Sequence, residues 1–464
     1  MTGPVPIVRP FRALRYDAAA LGDLSAVICP PYDVITPAER ERLLARDPRN
    51  AVRVELPVAL PGAPRATGAE PRDPYQRAAE TLRAWRADGT LRLDPDPSLY
   101  VYEERYRLSG EGPDTPWRTQ RGFFAVLRLE PFGDGVRPHE RTLRAPKQDR
   151  LRLLRATATN SSPIVLLSDD RTGRTAGALG GIARTIPTGE ATDDAGIRHR
   201  TWALSADDPV AGVLIAGAEA GPLTIADGHH RYEAALRYRE ERLAGTDAKP
   251  HDDGPDAATD SSFDHVLVLV LDAALFGARS GPVILPTHRL VGGDAAVAED
   301  LVAGARTYFE ITARAPAELV TAFSPPFRDW RGGRLGLLVR GEAYELGPRP
   351  EALGPLFPAG TPEVLRRLDV AVLEAVLAPL ATLEGSDAGH GPGVARALGQ
   401  VSYTHDAQEA RRAVESGAAA VAFLLPPTPV GDVMSVAAAG ALMPQKSTYF
   451  YPKAATGLVM YPLE

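Results

Sequence analysis

The sequence predicts a mixed α/β protein, and three observations lead there. Short apolar, β-branched runs alternate with amphipathic helical stretches along most of the chain. His265 to Asp272 is a strongly apolar, β-branched run, which reads as a central strand. Beyond about residue 294 the alternation starts afresh, which predicts a second α/β unit. The expected division is 1–275 and 284–464, with the last segment of the second unit returning to the site of the first. A chain of 464 residues is long enough for two or three cores.

The elements follow in order. Val27-Ile28-Cys29 reads as a strand entering Pro30-Pro31-Tyr32-Asp33, a rigid turn that presents Tyr32 and Asp33. Thr36-Pro37-Ala38-Glu39 supplies an N-cap, a proline in the first turn and a glutamate three residues after the cap, opening a helix to about residue 46. Ala51 to Leu56 reads as a strand, and 58–73, rich in Pro, Gly and Ala, as a loop. Residues 74–88 form an amphipathic helix stopped at Asp88-Gly89. Leu99 to Leu108 and Gly122 to Glu130 read as paired strands around a loop at 109–118. A densely charged segment from His139 to Arg150 leads into a helix at 149–157, then Asn160-Ser161-Ser162-Pro163 and a buried strand from Ile164 to Leu167.

Residues 198–204 and 211–216 read as short strands or strand–helix pieces. Residues 244–262 read as a flexible or disordered insert. In the second unit, helices at 295–308, 316–322, 361–379 and 406–416 alternate with strands at 335–340, 343–346, 400–404 and 420–425. Residues 386–395 form a glycine-rich loop.

The most informative stretch is 223–236, Leu-Thr-Ile-Ala-Asp-Gly-His-His-Arg-Tyr-Glu-Ala-Ala-Leu. It reads as strand, tight turn, helix. That geometry aims free backbone N–H groups and the positive end of a helix dipole at one point. His229, His230 and Arg231 stand at its mouth with Asp227 beside them. Asp-Gly is a common turn and Asp a common N-cap, but two histidines and an arginine at such a junction are not common. A phosphate-handling site is the expectation.

Composition narrows the classes. Hydrophobic residues make up 44% and charged residues 24%, ordinary for a globular protein. A net charge of −7 disfavours a nucleic-acid binder, so no nucleic-acid partner is expected. The single cysteine, Cys29, excludes a disulfide framework and a cysteine-rich metal site. Neither a long apolar run nor a signal pattern is present, so no membrane partner and a cytoplasmic location are expected. Of 52 basic residues only Lys147, Lys249, Lys446 and Lys453 are lysine. In so arginine-biased a chain, a retained lysine marks a place where an ammonium serves and a guanidinium does not. Lys249 lies in a polar loop and reads as incidental; the others sit in distinctive segments.

Phosphoryl transfer wants cations and backbone N–H groups around the phosphoryl oxygens, and a base near the attacking hydroxyl. Arg231, Lys147, Arg150 and Lys446 are the candidate phosphate clamps, with Gly228 at the turn. His229 or His230 donates to a leaving oxygen or shuttles a proton. Asp33 or Glu140 takes the proton of a substrate alcohol, and Asp227 holds a divalent ion or orients a histidine. Tyr32, His139, Asn160, Ser162 and the segment holding Ser447, Thr448, Tyr449 and Lys453 are candidates for contact with a small-molecule substrate. Adjacent histidines point apart, so no zinc site is expected; Mg²⁺ on carboxylates and phosphate is. No P-loop, Rossmann or G-x-S-x-G pattern is present.

Pro30-Pro31-Tyr32-Asp33-Val34, His139-Glu140-x-Thr142, Pro146-Lys147-x-Asp149-Arg150, Asn160-x-Ser162-Pro163, Ala226-Asp227-Gly228-His229-His230-Arg231-Tyr232 and Pro444-x-Lys446-Ser447-Thr448-Tyr449-Phe450-Tyr451-Pro452-Lys453 resemble the motifs of a bacterial family, domain of unknown function ten-fifteen. The likeness runs nearly end to end. The Asp-Gly-His-His-Arg turn is also similar to the signature of the ParB/sulfiredoxin-like superfamily, one branch of which contains free-serine kinases. That second resemblance implies a ParB/sulfiredoxin-like central core and phosphate binding by Asp227, Gly228, His229, His230 and Arg231. It implies phosphorylation of a small hydroxyl metabolite, free L-serine first, from ATP, ADP or pyrophosphate. A nucleotide-binding regulator of ParB-like type is the alternative. The base has no aligned motif; chemistry alone places Asp33 first and Glu140 second.

Overall fold

The computed structural model describes residues 5–57, 73–112, 114–245, 261–277, 281–325, 333–382 and 401–464. The chain is mixed α/β. Its larger sheet runs, in spatial order, Val136–Arg137, Leu223–Asp227, Ile164–Ser168, His265–Asp272, Arg118–Arg128, Ser98–Tyr106, Arg198–Ser205 and Gly189–Thr192, with Val8–Arg9 also pairing on Arg118–Arg128. His265–Asp272 lies parallel to Ile164–Ser168 and antiparallel to Arg118–Arg128. All eight of its residues are buried, which explains its unbroken apolar run.

A second, antiparallel sheet follows in the order Phe309–Arg314, Glu342–Pro348, Leu335–Val339, Val421–Leu424, His288–Val291 and Ser402–Thr404. One apolar cluster runs from Val8 through the first sheet and on to Val421 and Phe423 of the second. The last residues then return. Tyr449–Tyr451 pairs with Val283–Leu285, and Tyr461–Pro462 with Thr159–Asn160. Aromatic and β-branched side chains facing apolar neighbours hold this segment down, where a chain end would otherwise fray.

Several sequence expectations change. Ala51 to Leu56 contains a helix, Val52–Glu55, because Asn50 turns the chain: its Oδ1 accepts from the Val52 amide at 3.0 Å. Its Nδ2 donates to the carbonyls of Ala26 and Ile28. The alternating apolar and polar pattern suited a strand, and a buried side-chain bond overrode it. Pro209–Ala218 is a helix capped by Asp208, so 211–216 is not strand. The helix expected at 149–157 begins at Arg144, taking Pro146 into its first turn, where no amide is needed. The run at 27–29 makes only an isolated bridge, Cys29 to Thr456. The loop at 58–73 lies outside the described residues except for Asp73, which caps the helix Pro74–Ala87. The loop at 386–395 and most of the insert at 244–262 also lie outside them.

Candidate active site

Strand Leu223–Asp227 ends in the turn that opens helix His229–Gly245. Its pairing with Ile164–Ser168 slips between Ile225 and Asp227, a bulge that re-aims the strand end. Gly228 follows with φ +92°. A Cβ there would meet the Arg231 guanidinium at 3.0 to 3.2 Å, so the turn needs glycine for both its backbone and its space. Tyr232 N–H is the donor that reaches back to the Gly228 carbonyl. The amides before it have no intrahelical acceptor, so they and the helix dipole face the space beyond the turn.

Asp227 is clamped from two directions. Lys453 Nζ lies 3.4 Å from Oδ1, and Arg231 Nη2 donates to Oδ2 over 3.2 Å. Burial pushes the carboxyl up, but Lys453 and Arg231 together hold it well below the usual carboxylate range. Asp227 is therefore an ionised strut that fixes Lys453 beside the helix end. Lys453 also lies 4.6 Å over the ring of Tyr449. Arg231 turns under the turn rather than into the open space.

The histidines are fixed by backbone donors. His139 N–H donates to Nε2 of His229 at 3.2 Å, and Leu143 N–H to Nε2 of His230 at 2.8 Å. Burial lowers the pKa of both rings. Each is thus a neutral imidazole whose Nε2 accepts, leaving its proton on Nδ1. Each ring can therefore donate from Nδ1, and its Nε2 is already occupied as an acceptor. His139 is buried behind them: Nδ1 donates to the Ile225 carbonyl, and Nε2 accepts from Thr448 Oγ1 at 3.0 Å. His405 Nδ1 donates to the Pro286 carbonyl at 2.8 Å, so its Nε2 is the unprotonated nitrogen; the ring stacks on Tyr449 at 3.6 Å.

Glu140 is the carboxyl tuned toward neutrality. Burial drives it up to about 7, against the pull of the Lys446 amide and ammonium. The Lys446 N–H donates to its Oε1 at 3.1 Å. The carbonyl of the same peptide group, that of Gln445, accepts from Arg289 Nη2 at 3.3 Å. One peptide unit thus joins Glu140 to Arg289. Lys446 holds φ +56°, a left-handed conformation costly for a side-chain-bearing residue.

These groups surround a cleft of about 600 Å³. Of the residues expected from sequence, Tyr32, Asp33, Glu140, Asp227, Gly228, His229, His230, Lys446, Thr448, Tyr449 and Lys453 line it. The others stand behind. Lys147 pairs with Glu233 at 2.5 Å. Arg150 pairs with Asp149, donates to the Glu55 carbonyl and lies 3.9 Å over the Tyr32 ring. Asn160 Oδ1 accepts from the Leu267 amide, and Ser447 donates to the Pro444 carbonyl. Ser162 donates to Glu55 at 3.0 Å and Ser161 at 2.6 Å. Among the described residues no group of three or more His, Cys, Asp or Glu is placed to hold a metal ion, and no helix is long and apolar enough to cross a membrane.

The family model described as "Protein of unknown function (DUF1015)" matches residues 8–371, which takes in the Tyr32, Glu140 and Gly228 motifs. The chain belongs to the DUF1015 family. No curated relative matches it. Solved structures similar to this DUF1015 chain include a conserved hypothetical protein from Pyrococcus furiosus, with 14% identity, 71% of this chain and 97% of that one covered, and a TM-score of 0.32. A free serine kinase in complex with AMP has 10% identity, 68% and 83% coverage and a TM-score of 0.32. SbnI with a C-terminal truncation, from Staphylococcus aureus, has 12% identity, 71% and 84% coverage and a TM-score of 0.31. These are likenesses at low score, and the reading of the DUF1015 site rests on its own residues.

Sequence reasoning passed over Glu55, Thr287, Arg289, Tyr403 and His405. Glu55 is fully buried and takes Ser161, Ser162 and the Tyr32 amide, so it holds the early loop of the DUF1015 cleft in place. In the alternating run Val52-Arg53-Val54-Glu55-Leu56 it falls on the polar phase with Arg53, so the sequence carried no signal of its burial. Thr287, Tyr403 and His405 belong to the second sheet and its edges, and nothing local marks them as neighbours of Gly228.

Proposed function

We propose that the cleft binds a phosphoryl donor by its phosphates on the Gly228 turn and transfers a phosphoryl group to the hydroxyl of a small metabolite, free L-serine being the first candidate. One observation carries this reading. An open helix end, Lys453 and the two Nδ1–H imidazoles share a cleft with Glu140, a carboxyl held near neutrality. The anion site and the base are then distinct groups, as the reaction needs.

The amides of the turn, Lys453, His229 and His230 would hold the phosphoryl oxygens as charge redistributes among them. Glu140, ionised, would accept the proton of the attacking hydroxyl. The new bond joins that oxygen to phosphorus, and the bond from phosphorus to the departing phosphate oxygen breaks. Asp33, exposed on the cleft wall, stands second as base. Asp227 is engaged by two cations, so it is not free for Mg²⁺; a divalent ion fits here only as the companion of the donor's phosphates, adding charge neutralisation. ATP, ADP and pyrophosphate all carry the group that the turn would grip.

The test is direct. The protein is incubated with Mg²⁺, L-serine and each donor in turn, and O-phosphoserine is sought by mass spectrometry. Product from one donor, lost in Glu140→Gln, is expected. Nucleotide binding without product would favour a ParB-like regulatory switch; neither binding nor product would overturn the reading of the turn.

A further inference from the structure

Two arginines are buried among the described residues, and they are treated differently. Arg150, 5% exposed, has the Asp149 carboxylate at 2.5 Å. Arg289, 7% exposed, has no carboxylate within ion-pair distance among the described residues. Its guanidinium donates to two carbonyls, those of Thr287 and Gln445, and lies 5.0 Å over the ring of Tyr403. A buried cation left to carbonyls is costly, because desolvation is not balanced by an opposite charge.

What surrounds Arg289 is the cleft wall. Thr287, Tyr403, Gln445 and Lys446 all line the cleft. Thr287 Oγ1 is buried there with no hydrogen-bond partner. Lys446, in its left-handed conformation, has no ion-pair partner among the described residues. A guanidinium with no ion pair thus stands directly behind a wall that carries an unpartnered hydroxyl and an ammonium with no ion pair. A small anion seated on that wall would bond the hydroxyl and the ammonium and offset the charge behind them.

We infer that Thr287, Arg289, Tyr403 and Lys446 form a second anion subsite, separate from the Gly228 turn, and that it takes the carboxylate of a hydroxy-acid acceptor. The assignment to the acceptor rests on the phosphotransferase reading; the subsite does not. A carboxylate fits better than a second phosphate because of where it leaves the rest of the molecule. Arg289 and Glu140 grip opposite ends of the Gln445–Lys446 peptide group. An acid anchored on this wall carries its hydroxyl beside Glu140, with the turn and its phosphates beyond. A neutral alcohol gains nothing from the wall.

Equilibrium binding to the full chain tests this. The probes are D-glycerate and L-serine, their neutral-headed counterparts glycerol and serinol, and pyrophosphate. The wild-type protein should bind at least one acid about tenfold tighter than its neutral counterpart, the worth of one charge-assisted contact. Arg289→Gln should remove that preference and leave pyrophosphate binding within about twofold, whereas Lys453→Ala should weaken pyrophosphate. Thr287→Val covers the case in which Arg289→Gln does not fold. It removes a hydroxyl that no protein group uses, so the fold should keep or gain stability while acid binding falls. Equal binding of acids and neutral counterparts overturns the subsite. So does acid binding untouched by Thr287→Val, or a loss of pyrophosphate as large as the loss of acid. Acid binding that depends on Arg289, with no phosphorylated product from any donor, leaves the subsite standing and removes the phosphotransferase reading.

Discussion

The backbone N–H of His139 donates to Nε2 of His229 over 3.2 Å, and the two rings meet edge to face at 4.7 Å. That bond assigns the proton of His229 to Nδ1. Asparagine can place an amide N–H near the Nδ1 position, whereas glutamine reaches the Nε2 position. His229→Asn should therefore retain more turnover than His229→Gln. Loss of one donor to a developing oxyanion costs about 10²–10³ in kcat. Steady-state rates of the two variants check this; equal rates would return the ring to a packing role.

Glu140 is pushed up to about 7 by burial, so its active, ionised form grows as pH rises through neutrality. The rate at low substrate should climb between pH 6 and pH 8 with a midpoint near 7. Glu140→Gln should flatten the climb and lower the rate by about 10²–10⁴. A pH profile of Glu140→Gln that keeps its midpoint would remove Glu140 as the base.

Glu104 gives a separate signature, in stability. It is fully buried; desolvation raises it to about 7, against His199 and hydrogen bonds from Tyr102 and Gln120. Its folded pKa lies above its unfolded value of 4.5. The native state then binds the extra proton, so this contribution is full below pH 4.5 and is lost as pH rises through about 7. Thermal denaturation followed from pH 4.5 to pH 8 should show Tm falling less steeply in Glu104→Gln than in the wild type.

Glu55 should behave as a strut. Its carboxylate takes Ser161 and Ser162, and Arg150 Nη1 stands 3.8 Å away. Glu55→Ala leaves these buried donors without it and should cost about 3 kcal/mol in urea unfolding. Glu55→Gln keeps the shape and part of the bonding and should cost less. Because Glu55 also holds the Tyr32 amide, ligand binding should weaken in both variants in step with the loosening of the early loop.

Much of this was legible in the sequence because it was local. The turn at Gly228 needs glycine between strand and helix, and the capping box at Thr36–Glu39 forms as its spacing requires. His265–Asp272 announced its burial by carrying no polar residue between its ends. The rare lysines pointed to the cleft in two cases, Lys446 and Lys453. Lys147 instead pairs with Glu233, and Lys249 lies outside the described residues. What escaped was non-local. The strand pattern of Ala51–Leu56 was outvoted by Asn50, whose partners are more than twenty residues away. The carboxylate of Glu140 looked no different from that of Asp33 until burial separated them. Arg289 passed as one arginine among dozens, since the absence of a partner is visible only in three dimensions.

The ion pair between Asp227 and Lys453 has a consequence for synthesis. The ribosome makes the Gly228 turn long before the strand that carries Lys453 to it. Until then, Asp227 is balanced by Arg231 alone, and the helix end carries only its own partial positive charge. Docking of Lys453 adds a full positive charge beside it. On the phosphotransferase reading proposed above, the turn would reach its full grip on a phosphate only once this late-made segment is in place.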